Sequence, residues 1–404
     1  MAPRGKVAEN GLKREELLEA FRSEDGLAEV IRATIQEVLE AEMDETLGAA
    51  KSERVGERRG YRSGHYRRSL VTRLGKIELR VPQDRAGLFD TAVFERYQRS
   101  EKALVAALVE MYVQGVSTRK VKEITEELCG HELSASSVSR ATSRLDEELE
   151  KWAKRPLEEA YPYLIVDARY EKVREEGAVR SRAVLIAIGI NEEGRRRVLA
   201  VELANRESET SWTDFILRLK ERGLKGVEFV ASDDHAGLRR AIDQNLGHAV
   251  WQRCYVHFLR NALGHFPRKG DGECLTELRW IYDRKSLQEA RRDFQAWLTK
   301  WGGEYPKFCS WAEDNIERTL SFYCLPVQHH KHMKSTNMLE RQNEEIKRRT
   351  RVVRIFPNPA SCLRLIRALM AETDDEWAQG KIYLNMQWLV EQRKERIKTQ
   401  AAAA

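Results

Sequence analysis

The sequence predicts a multidomain α/β protein built around a mixed β-sheet, and three observations support this prediction. A chain of 404 residues usually divides into two or more domains, and 42% hydrophobic residues are enough to give each domain a core. Between residues 161 and 256, apolar β-branched runs are joined first by short turns and then by helical patterns. Helical patterns also occupy most of the chain on both sides of this region.

The composition argues against a membrane-spanning protein and against a secreted, disulfide-rich protein. The longest apolar stretches, such as residues 183–190, are too short to span a membrane, and the first residues lack the apolar core of a signal peptide. Six cysteines without regular spacing argue against a secreted disulfide framework. We therefore expect a cytosolic protein with reduced thiols.

The N-terminal hundred residues predict a helical element followed by a basic hairpin. Residues 1–50 carry apolar side chains at helical spacing and are expected to pack or dimerise. Residues 51–99 form the basic region, in which alternating runs flank Leu74-Gly75 as in a β-hairpin. Ten Lys or Arg against three acids in residues 51–80, with Tyr61 and Tyr66 between them, suit a polynucleotide, although a solvated charged loop has the same pattern. The candidate DNA contacts here are Arg58, Arg59, Arg62, Arg67, Arg68 and Arg73.

Residues 100–155 predict three helices, at 101–112, 117–128 and 136–152, that resemble a helix-turn-helix domain. Such helices are also common as plain packing units. We favour DNA binding because Ser and Arg at the start of the third helix suit a major groove. The candidate contacts are Ser117, Arg119, Lys120, Ser139 and Arg140.

Residues 156–256 give the most informative pattern. Strands are expected at 163–168, 182–190, 196–203, 226–232 and 248–252, with helices at 211–222 and 236–245. Three strands joined by short turns, followed by strands alternating with helices, follow the order of a ribonuclease H-like sheet. In that order, Asp167 lies on the first strand and Asp233 ends the fourth, where sites form in open α/β sheets. A carboxylate inside an apolar run such as that around Asp167 needs a functional reason.

The strand pattern then stops, and the core domain is expected to resume at a later helix. Residues 257–328 read as a helical insertion rich in Trp, residues 329–395 as the last part of the core, and residues 396–404 as a tail. Glu340 lies on a charged helix 107 positions after Asp233 (340 − 233). Carboxylates brought together from separate elements suit Mg²⁺, a hard cation that prefers oxygen ligands.

The chain resembles the Mutator-type bacterial insertion-sequence transposases, which are DDE enzymes with a helical insertion in a ribonuclease H-like core. The resemblance spans nearly the whole chain and rests on phrases such as Gly115-Val-Ser-Thr-Arg-Lys-Val, Ser232-Asp-Asp-His-Ala-Gly-Leu238, Gln252-Arg-Cys-Tyr-Val-His-Phe258 and Thr336-Asn-Met-Leu-Glu-Arg-Gln-Asn343. Carried over residue by residue, it implies Asp167, Asp233 and Glu340 as the catalytic acids and metal ligands.

The resemblance also implies the reaction and the partners. Two Mg²⁺ ions about 4 Å apart, or Mn²⁺ as a substitute, would support hydrolysis at a terminal inverted repeat and then strand transfer. The partners would be double-stranded terminal repeats, target DNA and a second copy of the chain, with no membrane. The location would be the bacterial cytoplasm, at the nucleoid when the protein is bound to DNA.

Several further residues are auxiliary candidates. Asp234 is set aside because neighbouring strand residues point to opposite faces. His235 could contact phosphate or cap the following helix. Cys254 and His257, spaced C-x-x-H, are expected to anchor the insertion rather than to bind a metal. Trp311 could stack on a base or pack in the core. The remaining candidates are Asn337 and Asn343 near the metal site, and Arg341, Lys347, Arg348 and Arg349 as phosphate contacts.

Two other classes of protein remain as alternatives. A DNA-binding regulator with an inert core would bind DNA equally well without the three acids, and the presence of all three counts against it. A structure-selective nuclease or resolvase would cut without repeat ends and without joining. The long N-terminal region with its helix-turn-helix pattern counts against that reading.

Overall fold

In the computed structural model, the described residues are 26–53, 55–56, 58–72, 74–94, 102–114, 116, 118–129, 138–139, 142–143, 145–266 and 272–403. The helical pattern predicted before residue 26 and the start of the third helix-turn-helix helix lie outside them. Contacts divide the chain into two compact units, residues 1–143 and 144–404. Each unit is described by itself.

The first unit contains the hairpin that the sequence predicts. Strands β1 (Arg62–Thr72) and β2 (Gly75–Asp84) pair antiparallel, and the register closes at Thr72 opposite Gly75. Gly75 has a φ of 104°, a conformation that suits glycine at this turn. Helix α1 (Gly26–Leu47) lies on the hairpin and buries Leu39 among apolar side chains of both strands.

Helices follow the hairpin in the first unit. Helices α2 (Lys102–Val113) and α3 (Thr118–Cys129) agree with two of the three helices predicted for this region. Leu104 and Leu108 of α2 pack with Val121 of α3 and with Val138. This small apolar cluster holds the two helices together.

The second unit is built on a five-stranded mixed sheet. Its strands are β3 (Tyr163–Glu175), β4 (Ala178–Ile190), β5 (Arg196–Ala204), β6 (Phe229–Ser232) and β7 (Val250–Arg253), arranged in the order β5-β4-β3-β6-β7. The first three strands are antiparallel, and β6 and β7 continue the sheet in parallel with β3. This confirms a mixed α/β fold with the predicted succession of strands.

The hairpin formed by β3 and β4 is longer than the sequence predicts. Pairing continues from Asp167 opposite Ile186 to Glu175 opposite Ala178, and the turn at Glu176 and Gly177 has positive φ at both residues. The added strand segments are mostly polar. Antiparallel strands can be solvated on one face, so polar segments of this kind lack the apolar pattern that marks a buried strand.

Helices cover the sheet. Helix α4 (Leu145–Lys154) precedes it, and α5 (Glu209–Glu221) and α6 (Ala236–Leu246) flank β6 in the chain. Trp212 and Phe215 of α5 and Leu238 and Ile242 of α6 are buried in one core with side chains of the strands. Helix α12 (Asn337–Val353) packs against β3, and α13 (Pro359–Gln379) packs against β5.

The region between β7 and α12 is helical, as predicted for the insertion. It contains α7 (Tyr255–His265), α8 (Gly272–Trp280), α9 (Leu287–Trp301), α10 (Pro306–Ile316) and α11 (Val327–Met333), with three short 3₁₀ turns. Its core is aromatic: Trp311 stacks on Phe258 and His265 at centroid distances of 5.0 and 4.5 Å. The last helix is α14 (Gln387–Ala403). No helix in the described ranges is both long and apolar enough to cross a membrane.

One buried carboxylate joins helix α13, strand β5 and the residue that follows α4. Asp374 of α13 accepts hydrogen bonds from Arg155, from Arg197 on β5 and from the Val198 backbone. The Asp374 residue is 1% exposed. A buried charge is tolerated when it is paired in this way.

Candidate active site

The register of two parallel strands places Asp167 and Asp233 side by side. Ile165 of β3 pairs with Ala231 of β6, and each of these residues lies two positions before one of the aspartates. Side chains two residues apart on a strand point to the same face. Asp167 lies on β3 and Asp233 directly follows β6, so the pairing of these strands brings the two backbone positions next to each other.

Asp167 is a buried carboxylate held by two hydrogen bonds. Its Oδ1 accepts from the backbone N–H of Ala168 at 2.9 Å, and its Oδ2 accepts from Nδ2 of Asn343 at 2.9 Å. Burial raises the pKa of Asp167 to about 7, with the charge of Asp233 adding to the rise and His257 opposing it. A carboxylate in such surroundings favours a cation as neighbour.

Helix α12 brings Glu340 to the same region. Asn343, which binds Asp167, lies three residues after Glu340 and so about one helical turn away. An oxygen of Glu340 lies 3.2 Å from Nη2 of Arg260 and 3.5 Å from Nε2 of His257, both on α7. The side chain of Glu340 is 25% exposed, which leaves it open to solvent on one side.

Cys254 connects the sheet to the start of α12. Its backbone N–H donates to the carbonyl of Ser232, next to Asp233, at 2.7 Å. Its Sγ accepts from both the N–H and the hydroxyl of Thr336 at 3.4 Å, and the carbonyl of Thr336 accepts from the N–H of Glu340. The structure thus gives Cys254 an anchoring contact, which is the role that the sequence favoured.

His257 lies close to Glu340 and acts electrostatically on Asp167. The adjacent Cys254 thiol raises the pKa of His257 to about 9 against the effect of burial, and Asp167 and Glu340 contribute to the rise. Burial by itself would raise the pKa of Cys254, but His257 and Thr336 outweigh burial and lower it. Nδ1 of His257 is buried without a hydrogen-bond partner among the described residues.

Asp233 and Asp234, the two adjacent aspartates after β6, have different partners. Oδ2 of Asp234 lies 2.9 Å from Nη1 of Arg253, so Asp234 is engaged in an ion pair. His235 is the N-cap of α6, and its Nδ1 accepts from the N–H of Leu238 at 3.4 Å. Of the two roles considered for His235, the structure shows the capping contact.

Sequence reasoning missed Glu207, a further acid at this site. It lies between β5 and α5, and its Oε1 accepts from Nε1 of Trp212 at 3.1 Å and lies 3.5 Å from Nδ1 of His235. Burial and the charge of Asp233 raise its pKa, and the charge of Glu207 in turn contributes to the raised pKa of Asp167. Its position directly before Ser208, the N-cap of α5, was the one available signal.

The basic residues proposed to contact DNA differ in their surroundings. Arg341 and Lys347 on α12 are exposed. Arg348 and Arg349 both pair with Glu345, and Arg349 is buried. These two arginines are bound to an acid of their own helix, which limits what they can offer to a phosphate.

The candidates of the first unit divide in the same way. Arg59, Arg67, Lys120 and Ser139 are exposed, although Lys120 pairs with Glu123 at 3.1 Å. Arg62 is mostly buried and pairs with Glu40 and Asp44 of α1. The Arg58 and Arg68 guanidinium groups lie over the Tyr61 and Phe94 rings. Arg73, Ser117, Arg140 and the side chain of Arg119 lie outside the described residues.

The structure does not assemble a finished metal site. Across the described parts of the chain, no three or more His, Cys, Asp or Glu side chains are arranged to hold a metal ion. Asn337 is exposed at the start of α12, and Trp311 packs among the aromatic rings of the insertion. What the structure does bring to one region is Asp167, Asp233, Glu340, Asn343, His257 and Glu207.

Comparison with known proteins identifies the family. Residues 5–380 match the protein family described as "Transposase, Mutator family". The chain belongs to this transposase family. It is 66% identical to the transposase for insertion sequence element ISRM5 of Rhizobium meliloti (strain 1021), over 92% of this chain and 93% of that relative.

More distant relatives are also insertion-sequence transposases. This transposase is 43% identical to that of IS256 in transposon Tn4001 of Staphylococcus aureus, over 80% of this chain and 84% of the relative. It is 36% identical to that of IS1081 of Mycobacterium tuberculosis (strain ATCC 25618 / H37Rv), over 84% and 83%. Among solved structures, the crystal structure of the Mos1 strand transfer complex matches at 12% identity over 55% of this chain and 81% of that chain. Its TM-score of 0.17 is too low to support a comparison of the two folds.

Proposed function

We propose that this insertion-sequence transposase binds terminal inverted repeats and catalyses Mg²⁺-dependent phosphodiester hydrolysis and strand transfer. The mechanism is a two-metal DDE reaction at Asp167, Asp233 and Glu340 on a ribonuclease H-like core. The observation that carries this proposal is the register of β3 and β6, which sets the two aspartates side by side. The bond from Asn343 to Asp167 brings the Glu340 turn of α12 to the same place.

The residue types gathered in this region are those that bind a divalent cation. Carboxylate oxygens from separate elements are the ligands that Mg²⁺ takes, with water filling its other positions. Oδ1 of Asn343 and Nδ1 of His257 are buried without a hydrogen-bond partner among the described residues, so the region holds unused polar atoms. Burial raises the pKa of Asp167, so a cation beside this carboxylate would stabilise its charged form.

Each residue has a distinct part in the proposed reaction. Asp167 and Asp233 would hold the metal from the rigid sheet, and Glu340 would hold it from the helix. Bound cations would activate the attacking water or 3′-hydroxyl and stabilise the leaving oxygen. Asn343 orients Asp167, and Arg260 and His257 orient Glu340 and place positive charge beside the path of a phosphate.

The remaining regions are proposed to supply DNA binding and assembly. Residues 51–99 and 100–155 would bind the terminal repeats, and residues 1–50 would support a homodimer that pairs two ends. Residues 257–328 would form the insertion between the two parts of the core, 156–256 and 329–395. The exposed cations Arg341 and Lys347 on α12 are the best placed phosphate contacts near the acids.

The test is cleavage of labelled DNA that carries the element's own end, in Mg²⁺ and in Mn²⁺. Wild type should nick and join strands, while Glu340→Gln and Asp167→Asn should bind this DNA but cut at least 100-fold more slowly, because each removes a ligand charge. Glu344→Gln is the matched control: this exposed acid lies on the same helix and should leave cleavage within threefold. Equal cutting by wild type and Glu340→Gln would exclude Glu340 as a ligand. Binding without cleavage by wild type would favour a regulator instead.

A further inference from the structure

Glu207 is fixed in place by contacts at both its backbone and its side chain. Its N–H donates to the hydroxyl of Tyr170, three residues beyond Asp167 on β3, at 3.2 Å. Its Oε1 accepts from Nε1 of Trp212, a fully buried residue of α5. The carboxylate is therefore held rigidly beside the catalytic strands, and its side chain is only 10% exposed.

This buried carboxylate lacks the partner that such a charge normally has. Within the part of the chain that the structure describes, no Lys or Arg lies within ion-pair distance of Glu207. By contrast, buried Asp374 has two arginines. Its basic neighbour His235 accepts the N–H of Leu238 at Nδ1 and therefore does not donate to Glu207 from that nitrogen. A buried acid without a cation that donates to it is costly, so its presence calls for compensation from another source.

The surroundings of Glu207 make that cost larger. His235, whose Nδ1 faces Oε1 of Glu207 at 3.5 Å, also donates its backbone N–H to Oδ1 of Asp233 at 3.3 Å. One residue thus contacts both acids, and burial, together with the charge of Asp233, raises the pKa of Glu207. A cation bound between two like-charged carboxylates offsets their repulsion and stabilises their charged forms.

We propose that Glu207 is a fourth carboxylate of the metal centre, whose charge strengthens binding of a divalent cation on the Asp233 side. This inference rests on the proposed function, because it assumes that Asp167 and Asp233 hold a metal. Four carboxylates carry a total charge of −4, which balances two divalent cations. The hydrogen bond to Trp212 does not by itself explain a charged residue, because a neutral amide would accept that N–H equally well.

The experiment compares Mn²⁺ binding to the full-length, DNA-free protein by isothermal titration calorimetry, with thermal unfolding of the metal-free protein measured in EDTA. Glu207→Gln keeps the size of the side chain and the acceptor for Trp212 but removes the charge. Glu209→Gln is the matched control, since Glu209 lies two residues away on the surface and contacts Arg240 and Gln244. Asp233→Asn tests the metal centre itself.

The proposal expects Glu207→Gln to weaken Mn²⁺ binding about tenfold or more, as removal of a supporting group at a metal site does. Glu209→Gln should bind Mn²⁺ as wild type does. The metal-free melting temperature of Glu207→Gln should equal or exceed that of wild type, because repulsion with Asp233 is relieved. A purely structural role would lower that temperature and leave Mn²⁺ affinity unchanged.

The outcomes separate this inference from the proposed function. Unchanged Mn²⁺ affinity in Glu207→Gln, with weakened binding in Asp233→Asn, overturns the role of Glu207 and leaves the metal centre in place. A Glu207→Gln chain that is destabilised or unfolded without metal also overturns it. Wild type that does not bind Mn²⁺, or binds it no better than Asp233→Asn, overturns the metal centre and the role of Glu207 together.

Discussion

Replacing Asp374 with Asn should destabilise the second unit strongly. The carboxylate accepts from Val198 N at 2.8 Å, from Nε and Nη2 of Arg197 at 3.0 and 3.1 Å, and from Nη2 of Arg155 at 3.0 Å. Asn keeps the shape but removes the charge and half of the acceptor capacity, which leaves two arginines facing each other behind the sheet. Breaking a fully buried ion pair costs about 3–5 kcal/mol.

The arginines are not fully buried, so this figure needs reduction. Their side chains are 22% and 28% exposed, and solvent screening lowers the cost to about 2–4 kcal/mol. For a unit of this size, each kcal/mol shifts the melting temperature by about 2–4 °C, so a fall of about 4–16 °C is expected.

Differential scanning calorimetry of the full chain would measure this fall. Asp375→Asn is the control, because Asp375 is the neighbouring residue on α13, is exposed and should shift stability by less than about 0.5 kcal/mol. If Asp374→Asn melts within 2 °C of Asp375→Asn, the buried network contributes little and the reasoning is wrong.

Three further predictions concern the site and its support. Asn343→Ala removes a hydrogen bond to the Asp167 carboxylate that is worth about 1.5–3 kcal/mol. Mg²⁺-dependent cleavage of the labelled end should therefore fall roughly 10- to 100-fold. A loss of less than about threefold would contradict this prediction. Cys254→Ala leaves both Thr336 donors unsatisfied and should cost about 1–3 kcal/mol in urea unfolding, whereas Cys254→Ser should recover most of the loss; equal stability of the two variants would argue against the contact. Burial lowers the pKa of His329, which bonds Tyr163 and Asn385. The unfolded chain therefore binds more protons than the folded one, so the contribution of His329 to stability should be full above pH about 6.5 and fall on acidification. Thermal melts from pH 7 to 5 should show a smaller loss of stability in His329→Gln than in wild type. An identical pH dependence of the two proteins would exclude His329 as the cause.

The strands that carry the aspartates could be predicted from sequence because their signal is local. The apolar runs ending at Asp167 and Asp233 are buried on both faces, and such strands appear as continuous β-branched stretches. The hydrophobic pattern shows which residues form a strand but not which strand it pairs with. The Ile165–Ala231 pairing that aligns the two acids therefore required the structure.

Contacts between distant residues could not be read from the sequence. Asn343 is 176 positions from Asp167, and helical spacing identifies the face that it shares with Glu340 but not the residue it meets. Glu207 gave a still weaker signal, because an acid before a helix N-cap is ordinary in sequence and becomes unusual through its burial. The ion pairs of Arg62 and Arg349 likewise turned exposed-looking cations into internal contacts.

The separation of the acids along the chain has a consequence for protein synthesis. Translation delivers Asp167 and Asp233 early, and the ribosome then adds 107 further residues (340 − 233), among them the whole insertion, to reach the third acid. During that interval the first unit and its basic hairpin are already complete. Under the proposed mechanism, a chain that ended before Glu340 would keep the regions proposed to bind the terminal repeats but would lack one of the three acids needed to cut DNA.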